Sequence, residues 1–172
     1  MTVAPTPALL DAFAADGPDP ALGDRLQLFG QFVGSWDLTV TDIDDDGTET
    51  TRTGEWHFGW ALAGRAVADV WICPRRTPAG DSPGEHGLSL RFHDPSIDAW
   101  RTTWMGPARG IVRPFVARAV DGGIVLDGCF DGVATRWSFS DITPTSFRWR
   151  NEVAVDGGPG WRLVQAFEAR RA

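Results

Sequence analysis

From Gly34 to the C-terminus, apolar and polar residues alternate with a period of two, broken only by short clusters of residues that turn a chain. The clusters are Asp44-Asp45-Asp46-Gly47, Asp94-Pro95, Asp121-Gly122-Gly123, Asp131-Gly132, Thr143-Pro144 and Asp156-Gly157-Gly158. Asp, Gly and Pro there supply the backbone angles that tight hairpins need. The runs between them predict about ten strands, at roughly 35–44, 49–61, 65–73, 87–93, 99–105, 111–119, 124–129, 133–140, 146–155 and 161–170. Strands that follow one another through hairpins form an antiparallel meander, and closing the meander removes its exposed edges. The predicted fold is therefore all-β, an antiparallel up-and-down β-barrel.

Ahead of the barrel, Ala21, Leu22, Leu26, Phe29, Phe32 and Val33 recur at helical spacing, with Asp19 placed to cap and Pro20 in the first turn. This predicts one N-terminal helix covering an end. Residues 1–19, rich in Pro, Ala and Asp, read as a mobile N-terminal arm with a short helix at Ala8–Ala14, and residues 20–172 as the barrel domain. The loop from Pro74 to Gly87 is the one long polar interruption and the candidate lid or rim.

Within each strand the more apolar face should line the interior. That rule turns inward Trp36, Leu38 and Val40; Trp56, Phe58 and Trp60; Val67, Asp69, Trp71 and Cys73; and Leu88, Leu90 and Phe92. It does the same for Trp100, Thr102 and Trp104; Ile111, Arg113, Phe115 and Ala117; and Trp137 and Phe139. The last two strands contribute Phe147, Trp149, Asn151 and Val153, then Leu163, Gln165 and Phe167. Asp69, Thr102, Arg113, Asn151 and Gln165 interrupt apolar faces, which is the mixture expected of a ligand pocket. An unpaired carboxylate among apolar groups is costly, so Asp69 needs a partner.

The cross-barrel pairing of Asp69 with Arg113 is one reading, either as a structural ion pair or as a site in which the arginine holds a carboxylate or carbonyl while Asp69 moves a proton. His57 alternates with Trp56 and Phe58 beside Glu55, which points it outward; an inverted register would make it the best general base. Trp60, Trp71, Trp104 and Trp149, with Phe115, Asn151 and Gln165, are the expected ligand-facing residues. Asp69, Arg113 and His57 are the candidate catalytic ones.

Composition narrows the chemistry. The 16 basic residues are all arginine and there is no tyrosine, so Schiff-base and tyrosine acid/base chemistry are excluded. A net charge of −7 argues against nucleic acid or an anionic membrane surface as partner. Cys73 and Cys129 form neither a zinc signature nor a disulfide framework, and no histidine pair has ligand spacing. No metal or other cofactor is expected. Phosphate-binding, dinucleotide and hydrolase fingerprints are absent. Without a signal-peptide pattern or an apolar run of about 20 residues, a soluble cytoplasmic protein is expected. Nothing in the sequence sets its oligomeric state.

The helix followed by Phe32-Val33-Gly34-Ser35-Trp36 resembles the Gly-x-Trp opening of the calycin superfamily, the lipocalin and fatty-acid-binding barrels. The blocks Gly54-Glu-Trp-His-Phe-Gly-Trp, Gly64-Arg65, Asp69-Val-Trp, Arg136-Trp-Ser-Phe-Ser and Phe147-Arg-Trp-Arg resemble a group of uncharacterised calycin-like bacterial proteins. The resemblance implies an internal cavity for a small, largely apolar molecule. It also implies an arginine packed on the Gly-x-Trp tryptophan near the closed end, a part that Arg162 or Arg150 would play. The leading expectation is a cofactor-free isomerase, cyclase or lyase acting on a small, largely apolar, aromatic or polycyclic metabolite through Asp69, Arg113 and His57; the alternative is a non-catalytic carrier or sensor with the same pocket. A haem-binding barrel is a distant third, since no C-terminal histidine of the nitrobindin type is present.

Overall fold

The computed structural model describes residues 7–76, 84–155 and 158–172. Its N-terminal segment shows how local chemistry breaks a helical pattern. Asp19 Oδ1 accepts from the Ala21 amide at 2.9 Å and Pro20 opens the turn, so a 3-10 helix begins where expected, Pro20–Leu26. At Gly23, however, the backbone goes to φ 60 and ψ −150, and only the turn Gln27–Gly30 (α2) is α-helical. The single predicted helix is thus two short pieces at an angle. The break turns Leu26, Phe29 and Phe32 into one end of the barrel, where all three are buried. Each such burial contributes about 1.5–3 kcal/mol.

Helix α1 (Ala8–Phe13) leads into a two-residue strand β1 (Ala14–Ala15) that pairs with Trp60 and Ala61. The Asp19 amide donates to the Gly64 carbonyl at 2.9 Å, and Arg65 Nη1 reaches Asp19 Oδ2 at 2.8 Å. These contacts hold residues 13–19 against the barrel wall.

Ten strands follow: β2 (Gly34–Ile43), β3 (Glu49–Ala61), β4 (Ala66–Cys73), β5 (Glu85–Asp94), β6 (Ala99–Gly106), β7 (Ile111–Val120), β8 (Gly123–Phe130), β9 (Val133–Ser140), β10 (Ser146–Ala154) and β11 (Trp161–Arg171). Each pairs antiparallel with the next, and β11 pairs with β2 from Gln165↔Asp42 to Arg171↔Trp36, closing the barrel. The alternation of the sequence is the alternation of the wall. Part of the expected rim loop, residues 77–83, lies outside the described residues, as do residues 1–6 and positions 156–157 of the last turn cluster.

The end plugged by the helical segment is packed with rings. Phe32 lies 4.9 Å from both Phe139 and Phe147, Phe29 meets Trp100 edge-on at 5.0 Å, and Trp36 Nε1 donates to the Phe32 carbonyl at 2.7 Å. The arginine over Trp36 is Arg171, 4.2 Å above the ring, and its Nη1 bonds the Val33 carbonyl at 3.0 Å. It takes the place expected for Arg162 or Arg150; Arg162 instead pairs with Asp45.

The apolar-face rule holds on most strands and fails on β5. Leu88, Leu90 and Phe92 point outward, and the inward row is Glu85, Gly87, Ser89 and Arg91. Two packing facts impose this register. A Cβ on Gly87 would lie 2.1 Å from the Trp104 ring, so that ring can occupy the interior only over a glycine. On the outside, Leu90 joins Phe13 against the buried patch Ala61, Ala66 and Ala68, giving the apolar row its own cover.

Candidate functional site

Toward the end opposite the helical plug, the packed rings part around a cavity in which about 50 Å³ is open to the centre of a water molecule. It continues into a mouth of about 300 Å³ that shares Trp71, Arg109 and Gln165 with it. Its walls form a circuit of aromatic contacts. Trp149 stacks on Phe167 at 4.2 Å and 13°, Trp71 lies near-parallel to the other side of the set at 5.7 Å from Phe167, and Trp71–Trp104, Trp104–Trp137 and Trp137–Trp149 meet edge-on at 6.0, 6.3 and 5.2 Å. Trp56, Ser89, Ile111, Arg109, Arg113, Asn151 and Gln165 complete the lining.

Several polar atoms in this lining have no hydrogen-bond partner among the described residues. They are the indole nitrogens of Trp71, Trp137 and Trp149, the Ser89 hydroxyl and the Asn151 amide oxygen, all buried. Leaving a buried donor or acceptor unsatisfied costs about 1–3 kcal/mol each. Groups of this kind gathered in one cavity can be satisfied by water or by a bound molecule.

Beneath the cavity lies an ion pair. Trp56 Nε1 donates to Asp69 Oδ1 at 2.5 Å, and Asp69 Oδ2 is paired with Arg91 Nη1. Both charged side chains are fully enclosed, and the guanidinium sits between Phe29 and Phe58, at 5.0 and 5.6 Å from the ring centres. Burial, which disfavours the charged form, pulls the Arg91 pKa down to about 9. The expected pairing of Asp69 with Arg113 is therefore replaced by Asp69 with Arg91, the residue that the inverted β5 register turned inward.

The mouth is ringed by paired charges. Glu85 Oε2 accepts from Arg109 Nε at 3.0 Å and its Oε1 from the Ala108 amide at 3.1 Å, while Gln165 Nε2 donates to Asp42 at 2.6 Å and Asp42 pairs with Arg52. Arg113 is half-buried in the wall with its guanidinium 5.1 Å from the Phe130 ring. Desolvation, with a smaller push from Arg109, lowers its pKa. Cys73 opens on the mouth, and burial pushes its thiol pKa up, the opposite of an activated nucleophile.

Of the residues anticipated from sequence, Arg113, Trp71, Trp104, Trp149, Asn151 and Gln165 line the cavity together. Trp60 instead packs at the plugged end, where a Cβ on Gly30 would touch its ring at 2.3 Å, and Phe115 lies 4.2 Å behind Trp137. Asp69 is under the floor. His57 is on the outer wall: Nδ1 lies 2.9 Å from Ser35 Oγ, Nε2 lies 3.0 Å from Glu55 Oε2, and Glu55 is gripped by Arg76 Nε at 2.7 Å. Sequence reasoning placed Trp56, Ile111, Trp137 and Phe167 inside without a ligand role, and it did not find Ser89 or Arg109. Ser89 was hidden by the apolar row beside it, and Arg109 by its position in a turn.

Among the described residues, no cluster of three or more His, Cys, Asp or Glu could hold a metal ion, and no helix is long and apolar enough to cross a membrane. No known family model and no curated protein matches the chain. Solved structures do. An S-type phycobiliprotein lyase, CPES from Guillardia theta, is 11% identical at a TM-score of 0.53, over 85% of this chain and 91% of that one. Rv2717c from M. tuberculosis is 14% identical at a TM-score of 0.58, over 90% of this chain and 99% of that one. At these identities the likeness is one of fold: the protein is a closed, ten-stranded antiparallel barrel that shares its fold with these structures.

Proposed function

We propose that the protein binds a small, planar, largely apolar molecule inside the barrel, as a carrier or sensor. The observation that carries this reading is the set of unpartnered indole, hydroxyl and amide groups facing one aromatic cavity. Flat indole faces supply stacking, and a few convergent polar atoms fix orientation, which is how small-molecule sites are generally built. The acid/base reading is less well supported. Both Asp69 oxygens are engaged by Trp56 and Arg91, His57 faces solvent, and the described residues of the inner lining include no carboxylate, histidine or cysteine. Binding therefore stands ahead of isomerase, cyclase or lyase chemistry. The haem reading is weaker still, because His57, His86 and His93 all lie away from the cavity lining.

Titration of planar aromatic compounds against intrinsic tryptophan fluorescence tests the proposal. Saturable quenching is expected, and Trp149→Phe should weaken it several-fold, in line with about 0.5–1.5 kcal/mol for one aromatic contact. Quenching that fails to saturate, or that Trp149→Phe and Trp71→Phe leave untouched, would place binding elsewhere or nowhere.

A further inference from the structure

Among the charged residues of the inner lining there are two arginines and no carboxylate, although the protein as a whole carries −7. Arg109 is neutralised by Glu85 at 3.0 Å. Arg113 has no ion pair among the described residues; Phe130 covers its guanidinium, and Asp131 acts on it only from beyond ion-pair distance. A half-buried guanidinium has lost part of its hydration, so a missing anion there is a real deficit. The unsatisfied groups deeper in the cavity have a matching bias. Trp71, Trp137 and Trp149 are donors only and Ser89 is a ready donor, while the Asn151 amide oxygen is the one acceptor-only atom among them. A lining rich in donors with one uncompensated cation asks for a guest rich in acceptors with one negative charge.

On the foundation of the binding reading above, we propose that the ligand is a planar aromatic carboxylic acid bound as its monoanion, with the carboxylate on the Arg113 guanidinium and the ring among Trp71, Trp104 and Trp149. The guanidinium fork matches a carboxylate in two parallel hydrogen bonds. Arg113 lies directly across the ladder from Trp104, so the anion site adjoins the aromatic wall. A phosphate ester fits less well, because a dianion would need a second free cation and Arg109 is already committed to Glu85.

Calorimetric titration of the intact protein with naphthoate, naphthamide and naphthylmethylammonium separates charge from stacking. Naphthoate should bind at least about tenfold more tightly than naphthamide, and the ammonium compound worst of the three. Arg113→Gln should erase the preference for the acid over the amide, and Arg113→Lys should keep part of it. If Arg113→Gln does not fold, raising the salt concentration on the wild type supplies the same contrast, since only naphthoate affinity should fall with it. Equal affinity for acid and amide would overturn the anion site while leaving the binding cavity standing. No binding by any of the three would overturn both.

Discussion

Replacing Arg91 with methionine isolates the ion pair beneath the cavity. Methionine restores much of the aliphatic bulk but leaves Asp69 fully enclosed, held only by Trp56 Nε1 at 2.5 Å. Removing one member of a buried pair costs about 3–5 kcal/mol, and the lost contact of the guanidinium with Phe29 and Phe58 adds about 1 kcal/mol. At roughly 2–4 °C per kcal/mol for a chain of this size, Tm should fall by about 8–24 °C. Asp69→Asn should cost a similar amount for the opposite reason: it keeps an acceptor for Trp56 and strands the Arg91 cation. The double variant Asp69→Asn/Arg91→Met buries no charge, so it should recover about 2–3 kcal/mol relative to the sum of the singles. Urea unfolding of the four proteins at pH 7, with equal m-values as the control for a shared unfolding reaction, measures that coupling. Singles that each cost under about 1 kcal/mol, or strict additivity, would refute a buried ion pair in the floor.

Three further outcomes follow from other parts of the molecule. Arg76 holds the Glu55 carboxyl down to about 2 from its ordinary 4.5, so its contribution is complete above about pH 4.5 and lost as pH falls toward 2; thermal melts of wild type and Glu55→Gln should differ at pH 7 and converge in acid. Gly87→Ala forces a methyl to within 2.1 Å of the Trp104 ring and 2.8 Å of the Met105 carbonyl, so denaturant unfolding should show a loss of about 1–3 kcal/mol, with a changed tryptophan emission maximum. Gly64 has φ +75, and a Cβ there would lie 2.3 Å from the Gly17 carbonyl and 2.6 Å from the Asp19 amide; Gly64→Ala should detach the N-terminal segment and speed limited proteolysis within residues 7–19, with unchanged cleavage as the contrary result.

The parts of the fold visible in the sequence are those governed by local rules. Turn chemistry at Asp44–Gly47 or Asp121–Gly123 is decided by a few adjacent residues, so strand number and hairpin order were legible, and so were the inward rows of β6, β7 and β10 that carry Trp104, Arg113, Trp149 and Asn151. What stayed hidden depends on residues far apart in the chain. Nothing near Gly23 says that its backbone will break the helix, because the break is rewarded only when Leu26, Phe29 and Phe32 meet the barrel end. The partner of Asp69 was hidden for the same reason.

On β5 the row Leu88, Leu90, Phe92 is the more apolar by any local reading, yet it faces outward, and one register explains why. Asp69 already occupies the interior on β4 and lies opposite Ser89 in the ladder, so the inward row of β5 is the one that can bring a cation to it from two residues along, at Arg91. Trp104 on the other side of β5 needs the bare backbone of Gly87, which belongs to that same inward row. Turning this row in pushes Leu90 out, where it would lie on open surface but for Phe13 and the small side chains of Ala61, Ala66 and Ala68. The segment before the barrel is thus coupled to the charge inside it: by covering Leu90 it removes the solvent penalty of the register that places Arg91 against Asp69. A one-residue slip of β5 would bury the leucines, expel Arg91 and leave Asp69 alone in the core, which is why the apolar rule loses on this strand.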